Sequence, residues 1–567
     1  MRRLFSPPLL VWGTMLVLLL LYSGSIDRDI VGPGESRVAQ LAWEMQHYGN
    51  WLLPSFNGEV TRATLTKPPL YHWLVIAAAS PFEWQNFSLR LVSLFSTFAS
   101  IWLVWRLGLR LFGDARAAAW STLVLASSLV FVVYGLSARM DLFFSMLVLL
   151  AMLLLYQVLE EPHRRGPLIA FFVVIGLAML VKGPVGFIIP VSTALLMAFT
   201  TTGRRRIRRL LPAWGVALFL VIGLSWYLAI VFLAPPEAVH SLFVEEPLNW
   251  AEGNAGGIQT RAWYYLPLLL GGLFPWSLFL AAALVALFRQ EDLRRQRALL
   301  FLLFWFLGGL ILFSLGGKKA IRYLLPILPA AALLTGWYFH RLQQRERAGW
   351  GAVLAGTLVT LIASALAVAL LLGLADPEAG REMLLKGRNP TDRVVLGIIW
   401  DTIGRHQAGA ALTALATLGL SFFALQRLYR ARIQAAVLGY TLISWILLGV
   451  YFNALLPVKA RVLSPRAAAQ FIHAQVGEGR LYGGGKAFQR AMHWYLHRSF
   501  DQVRRERLRQ IAAVNPSVPL FIMHRKPLQQ ALLARPHCQW RNPKLTITFF
   551  PALDEAAALH CPSADDG

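Results

Sequence analysis

Glu35 and Arg37 share the segment Gly34-Glu-Ser-Arg-Val-Ala39, and Lys67 closes the same stretch in Lys67-Pro68-Pro69-Leu70-Tyr71-His72-Trp73. A carboxylate so placed can serve as general base toward a hydroxyl, or orient it. Arginine can grip a phosphate with two parallel hydrogen bonds, and lysine can hold one as a point charge. The same types recur beside apolar runs at Arg139 and Asp141, at Lys182, at Lys318 with Lys319, and at Arg322. Arg37, Lys67, Arg139, Lys319 and Arg322 are therefore candidate phosphate ligands. Long cationic side chains also snorkel at membrane surfaces without further purpose. The outer charges at span ends, Arg139 and Asp141, Lys182, and Lys318 with Lys319, nevertheless point together to one polar site.

The elements that must hold these residues are membrane spans. Of 567 residues 57% are hydrophobic, only 15% are charged, and the net charge is +25. A soluble chain of this length is not so apolar. In a soluble protein such a charge would suggest nucleic acid. Here the arginines lie between apolar runs, the pattern that sets membrane orientation, so no nucleic-acid partner is expected. Twenty Trp and 34 Phe suit the aromatic belts of a bilayer protein. Cys538 and Cys561 are the only cysteines, with no Cys/His cluster that reads as a structural zinc site.

A span needs about 20 apolar residues. Candidates lie near 8–24, 88–110, 117–135, 142–158, 167–181, 184–200, 211–234, 263–287, 298–316, 322–340, 350–374, 408–426 and 434–456. Alternate loops are rich in arginine, among them Arg204, Arg205 and Arg206, then Arg341, Arg345 and Arg347, then Arg427, Arg430 and Arg432. With the N-terminus inside, all such loops fall on the cytoplasmic side, and the C-terminus lies outside. Met1-Arg2-Arg3 and the apolar run Pro8 to Tyr22 read as an uncleaved anchor, since no Ala-x-Ala site follows. The opposite loops include 25–87, which contains the Glu35 and Lys67 motifs. Ser36–His47 carries an apolar stripe at Val38, Leu41, Ala42 and Met45 and predicts a helix lying on the membrane. Leu70–Ala79 predicts a second, started by Pro68-Pro69.

The expected organisation is a membrane domain over 1–456 and a small outer α/β domain over 457–567. In the latter, Ala467–Gln475 and Gln502–Ala512 predict helices, and Pro519–Met523 and Leu545–Phe550 strands. A disulfide between Cys538 and Cys561 would suit an oxidising compartment. Gly483-Gly484-Gly485-Lys486 lacks P-loop spacing and reads as a surface turn.

The ordered motifs resemble those of the ArnT-like family of bacterial lipid-phosphate-dependent glycosyltransferases, relatives of the protein O-mannosyltransferases. The resemblance rests on Gly34–Ala39, Glu44-Met45, Gly49–Pro54, Asn57-Gly58 and Lys67–Leu70. It continues through Ala138–Asp141, Lys182-Gly183, Trp263–Pro267, Phe274–Trp276, Phe313–Lys319 and Arg322–Pro326. It implies a GT-C fold with 13 membrane helices, two membrane-lying helices in the first outer loop and an outer α/β tail. The implied donor is a polyprenyl-phosphate-sugar whose phosphate Lys67 holds, with Asp141, Lys319 and Tyr323 lining the same cavity. Members usually carry Asp-Glu where this chain has Gly34-Glu35, which leaves Glu35 and Asp141 as catalytic candidates and Asp29 as a further carboxylate. They often carry Glu before the lysine, where this chain has Thr66, so the sequence gives no support for a divalent metal.

The expected function is transfer of a sugar to a lipid (lipid A-like) or other envelope acceptor at the outer face of a bacterial inner membrane, by a monomeric enzyme. Cations stabilise the charge growing on the leaving phosphate. A lipid or sugar transporter or flippase is the alternative from another class, and a protein O-glycosyltransferase the alternative within this one. Transporters carry ionisable groups near mid-membrane, whereas here they gather at span ends.

Overall fold

The computed structural model describes residues 6–198, 212–252, 262–290 and 296–476 except positions 31, 57, 62, 63, 162, 318 and 389. Beyond these it describes 482–484, 489–496, 501–502, 520–524, 537–542 and 545–551. Lys318, one of the outer cations in the sequence, lies outside the described residues. Among the described residues, eight helices are long and apolar enough to cross a membrane, or ten spans if each of two bent pairs counts as one.

Every apolar stretch named above coincides with a helix, though some of these helices are short and others are broken. Pro7–Tyr22 has 16 residues and Val185–Ala198 has 14. The 322–340 stretch divides into a 3-10 segment, Ile321–Ile327, and the helix Leu328–Gln344. The bent pairs are Ala115–Ala126 with Leu129–Gly135, at 68°, and Tyr265–Gly272 with Ser277–Phe288, at 110°. At the first break the Ser127 and Ser128 hydroxyls donate to the Leu123 and Val124 carbonyls at 2.6 Å. Such back-bonding offers the backbone an alternative to a straight helix. Hydropathy sees composition and not these breaks, so the sequence does not reveal them.

Membrane helices gain little from burying apolar surface against one another and rely on close packing of small residues. Leu328–Gln344 packs on Ala115–Ala126 in this way. A Cβ added at Gly336 would lie 2.5 Å from the Ser121 backbone nitrogen and 2.7 Å from its Cα. Backbone cannot swing aside as a side chain can. Gly336→Val is expected to destabilise the protein by about 1–3 kcal/mol through overpacking, read as a lowered unfolding temperature in detergent. An unchanged temperature would show that the two helices separate freely.

The first long loop forms two helices. One spans Pro33–His47, beginning earlier than its apolar stripe because Pro33 suits the first turn and Gly32, at φ 105°, adopts a backbone that favours glycine. The other is Leu70–Ala79. After Ile433–Val450 the chain continues through Leu456–Leu463 and Arg466–Val476 to Gln489–Leu496 and a mixed sheet. Its strands are β1 (Tyr482–Gly484), β2 (Asp501–Gln502), β3 (Leu520–His524), β4 (Cys538–Asn542) and β5 (Leu545–Phe550), in the order β2-β1-β3-β5-β4. β1 pairs parallel with β2 and β3, and β5 pairs antiparallel with β3 and β4. The Gly-rich segment expected as a surface turn is part of β1 over its first two residues, whereas Gly485 and Lys486 lie outside the described residues. So do residues 503–512 of the expected Gln502–Ala512 helix. Cys538 is disulfide-bonded; Cys561 lies outside the described residues.

The tail is anchored to the first loop. The Tyr495 hydroxyl accepts from the Ile30 amide at 2.7 Å, the Trp494 indole donates to Asn86 at 2.9 Å, and Arg466 pairs with Asp29 at 3.2 Å.

Candidate active site

Asp141 opens the helix Met140–Glu160, and Lys182 ends the helix Arg165–Lys182, where Gly183 at φ 84° terminates it. A carboxylate in a first helical turn and an ammonium in a last turn are each favoured by the helix dipole. These two neighbouring helices therefore present opposite charges at the same end of the molecule, and Lys182 Nζ lies 2.7 Å from Asp141 Oδ1.

Two arginines join them. Arg139 Nε is 3.4 Å from Asp141 Oδ2, and Arg322 Nε is 3.7 Å from Oδ1. The Lys182 ammonium sits over the rings of Phe144 and Tyr323, 5.0 Å from each centroid, and Arg322 sits over Tyr323 at 5.2 Å. Tyr323 stacks on Phe313. Such rings hold cations by their quadrupole. Three cations thus converge on one carboxylate. Asp141 is buried, while Arg139 and Arg322 are about 30% exposed, at 29% and 30%. The local charge is positive and two of its cations are partly exposed, an arrangement that attracts a partly solvated anion.

Arg139 owes its position to Gly34. A Cβ at residue 34 would come 2.5 Å from Arg139 Cζ and 3.0 Å from its Nε. The guanidinium lies where a side chain would otherwise be. Gly34→Ala is expected to push Arg139 aside and lower turnover by up to about 10²-fold, as small misplacements of a binding group do. The check is a turnover assay with the melting temperature as control, and wild-type turnover would show that Arg139 is not needed in this pose.

Glu35 has a different environment. Its Oε1 accepts from Arg28 Nη2 at 3.0 Å, from the Ala138 amide at 2.9 Å and from Arg90 Nε at 3.3 Å, and its Oε2 accepts from Arg90 Nη2 at 3.3 Å. Arg90 is fully buried and also donates to the Ile26 and Arg28 carbonyls at 2.8 Å. Burial by itself would raise the Glu35 pKa. Arg28 and Arg90 outweigh it and hold the carboxyl at about 2. Glu35 is therefore a weak base with its lone pairs engaged, and its bond to the Ala138 amide fixes the loop that carries Arg139.

The remaining candidates occupy other parts of the loop. Arg37 Nη2 donates to Thr66 Oγ1 at 2.7 Å, which uses the residue before Lys67 to set Arg37. Lys67 is half-buried in the turn before Leu70–Ala79. Tyr71 in that helix meets Ser93 Oγ at 3.2 Å, and Ser93 donates to the Ser137 carbonyl at 2.6 Å, linking the Lys67 turn to the segment that leads into Arg139 and Asp141. Lys319 is buried in the segment ahead of Arg322. Asp29 lies apart from this cluster, against Arg466 and Asn86. Among the described residues no group of three His, Cys, Asp or Glu side chains is set to hold a metal ion. Nothing in the sequence singles out Arg28 and Arg90, which clamp Glu35; Lys182 is visible there as an outer cation, without its partner.

These features define a multi-pass membrane protein with a cationic site at one end of the helix bundle. Residues 66–227 match the family model described as dolichyl-phosphate-mannose-protein mannosyltransferase. In sequence, the chain is 33% identical over 310 residues to undecaprenyl phosphate-alpha-4-amino-4-deoxy-L-arabinose arabinosyl transferase 1 of Pseudomonas fluorescens strain Pf-5, covering 54% of each chain. It is 31% identical over 351 residues to the corresponding transferase of Pseudomonas aeruginosa strain UCBPP-PA14, covering 60% of each. The chain thus spans a little over half the length of the curated relatives it matches. In structure it superposes on ArnT from Cupriavidus metallidurans bound to undecaprenyl phosphate with a TM-score of 0.75, at 20% identity, covering 94% of this chain and 96% of that one. The chain shares the fold of that ArnT.

Proposed function

We propose that this protein is a glycosyltransferase that moves a sugar from a polyprenyl-phosphate-sugar donor to a lipid A-like lipid or other envelope acceptor. The site faces the outer side of a bacterial inner membrane, with the N-terminus cytoplasmic and the C-terminal α/β domain periplasmic, and one chain suffices for activity. The observation that carries this reading is the convergence of Lys182, Arg139 and Arg322 on the single carboxylate Asp141. The arabinosyl transferases named above, and the undecaprenyl phosphate bound to the Cupriavidus ArnT, support the same donor class.

In this reaction the bond between the sugar's anomeric carbon and the donor phosphate oxygen breaks, and its electron pair leaves with the phosphate. An acceptor oxygen forms the new bond to that carbon, and any proton it carries passes to Asp141 or to water. Lys182, Arg139, Arg322 and Lys319 stabilise the charge growing on the leaving phosphate, the electrostatic kind of catalysis. Arg37 and Lys67 hold the donor from the first outer loop. Asp141 orients Lys182, and Tyr323 forms the apolar wall beside it. Glu35 acts as a positioning residue for the Arg139 loop, and Asp29 belongs to the contact with the tail.

The test is mass spectrometry of lipid A, membrane lipids and surface glycans from cells with and without the protein. Loss of one glycosyl mass identifies sugar and acceptor. Identical profiles, with labelled donor merely changing leaflet in proteoliposomes, would overturn the transferase reading in favour of a flippase.

A further inference from the structure

At the arginine-rich end of the molecule, far from Asp141, the helices Ser277–Phe288, Leu328–Gln344 and Trp350–Ala375 border a groove of about 540 Å³. On the middle helix and the segment leading into it, Tyr323 and Arg341 mark the two sites. Eighteen residues of mostly helical chain separate them, roughly 27 Å at 1.5 Å per residue.

The groove is amphipathic along its length. Its upper end carries Arg289, Arg341 and Arg345. Among the described residues no carboxylate lines it. Arg289 lies over the Trp350 ring at 5.5 Å and Arg341 over Trp337 at 5.5 Å. Tryptophan prefers the membrane interface, so these pairs set the arginine heads at headgroup level. Below them the walls are apolar, with Leu278, Val285, Leu354 and Leu358. Two of the bordering helices are in contact here: a Cβ at Gly351 would lie 3.5 Å from Ala282 Cβ.

Length and charge specify the occupant. From Leu278 to Arg289 a helix rises roughly 16 Å, close to the roughly 15 Å of one leaflet's hydrocarbon. A soluble anion would leave the apolar wall unused. A zwitterionic lipid would add a cation to three arginines. We propose that this groove binds a diacyl phospholipid with an anionic headgroup, drawn from the leaflet at the arginine-rich end, its phosphate between the three arginines and an acyl chain along the leucine wall. Basic pockets between membrane helices bind anionic lipids in this way. The inference needs the membrane reading but not the transferase reading.

The experiment reconstitutes the full chain in nanodiscs of phosphatidylglycerol and phosphatidylethanolamine. It then counts co-retained lipid by native mass spectrometry after transfer to mild detergent. The wild type is expected to retain one phosphatidylglycerol in preference to phosphatidylethanolamine. Retention should fall roughly fivefold for each arginine removed in R289Q, R341Q and R345Q. Ala281→Trp, which fills the groove and keeps all three arginines, should also displace the lipid, and it serves if the arginine variants fold poorly. R430Q, at the same end but outside the groove, should change nothing. Equal retention of both lipids, retention unaffected by either kind of variant, or retention of polyprenyl phosphate instead would overturn the assignment.

Discussion

Replacing Glu35 with glutamine lowers the stability of the folded protein by about 3–5 kcal/mol, the usual effect of removing one partner from a buried ion pair. The Arg28, Glu35 and Arg90 side chains are 8%, 6% and 0% exposed. Without the carboxylate, two guanidinium groups remain buried without a counter-charge. Arg28, which burial already lowers to about 10 against the pull of Glu35, would lose that pull and keep the repulsion of Arg90. The sign of the pH dependence follows from the depressed pKa. A carboxyl held at about 2 in the folded state, against an ordinary 4.5, stabilises the fold fully above pH 4.5 and loses that contribution as pH falls toward 2. Glu35→Gln should therefore flatten the acid limb of the stability profile, measured as unfolding temperature against pH in detergent. Turnover falls too, because the Ala138 amide that Glu35 holds precedes Arg139. A variant with wild-type stability and no turnover would contradict this account and place Glu35 in the chemistry itself.

Lys182→Met should reduce turnover by about 10²–10³-fold, the range for deleting one donor that stabilises transition-state charge. Lys182 is the closest cation to Asp141, at 2.7 Å, and two aromatic rings fix its ammonium. Methionine keeps the stem and removes the charge, so binding of the donor's lipid chain should be little changed and the loss should fall on the chemical step. Arginine at this position should not restore activity, because its planar fork differs in shape and reach from an ammonium between two ring faces. The measurement is single-turnover transfer from a polyprenyl-phosphate-sugar in proteoliposomes. Near-normal rates in Lys182→Met would remove this lysine from the site.

Much of the fold is legible in the sequence because it is written locally. Apolar runs specify helices of bilayer length, and the arginines of alternate loops specify which ends share a side. The Pro33–His47 and Leu70–Ala79 helices are readable from apolar spacing and from prolines at their starts. The breaks at Ser127-Ser128 and at Phe274–Trp276 are harder to see, since the average hydropathy across them is that of an unbroken span.

The candidate site is legible in its side-chain types and not in its pairings. Sequence alone determined that Arg139, Asp141, Lys182, Lys319 and Arg322 stand at the ends of apolar runs, that Arg37 and Lys67 lie in the first outer loop, and that Gly34 precedes Glu35. Tertiary structure decided which of them meet. Glu35 finds Arg90 across 55 residues, Asp141 finds Lys182 across 41, and Asp29 finds Arg466 across 437. Helix periodicity and hydropathy arise between residues a few positions apart. An ion pair depends on where separate helices end relative to one another, and packing sets that. The absent side chain of Gly34 shows the same division: the glycine is plain in the sequence, and only the fold reveals that the Arg139 guanidinium occupies the space it leaves.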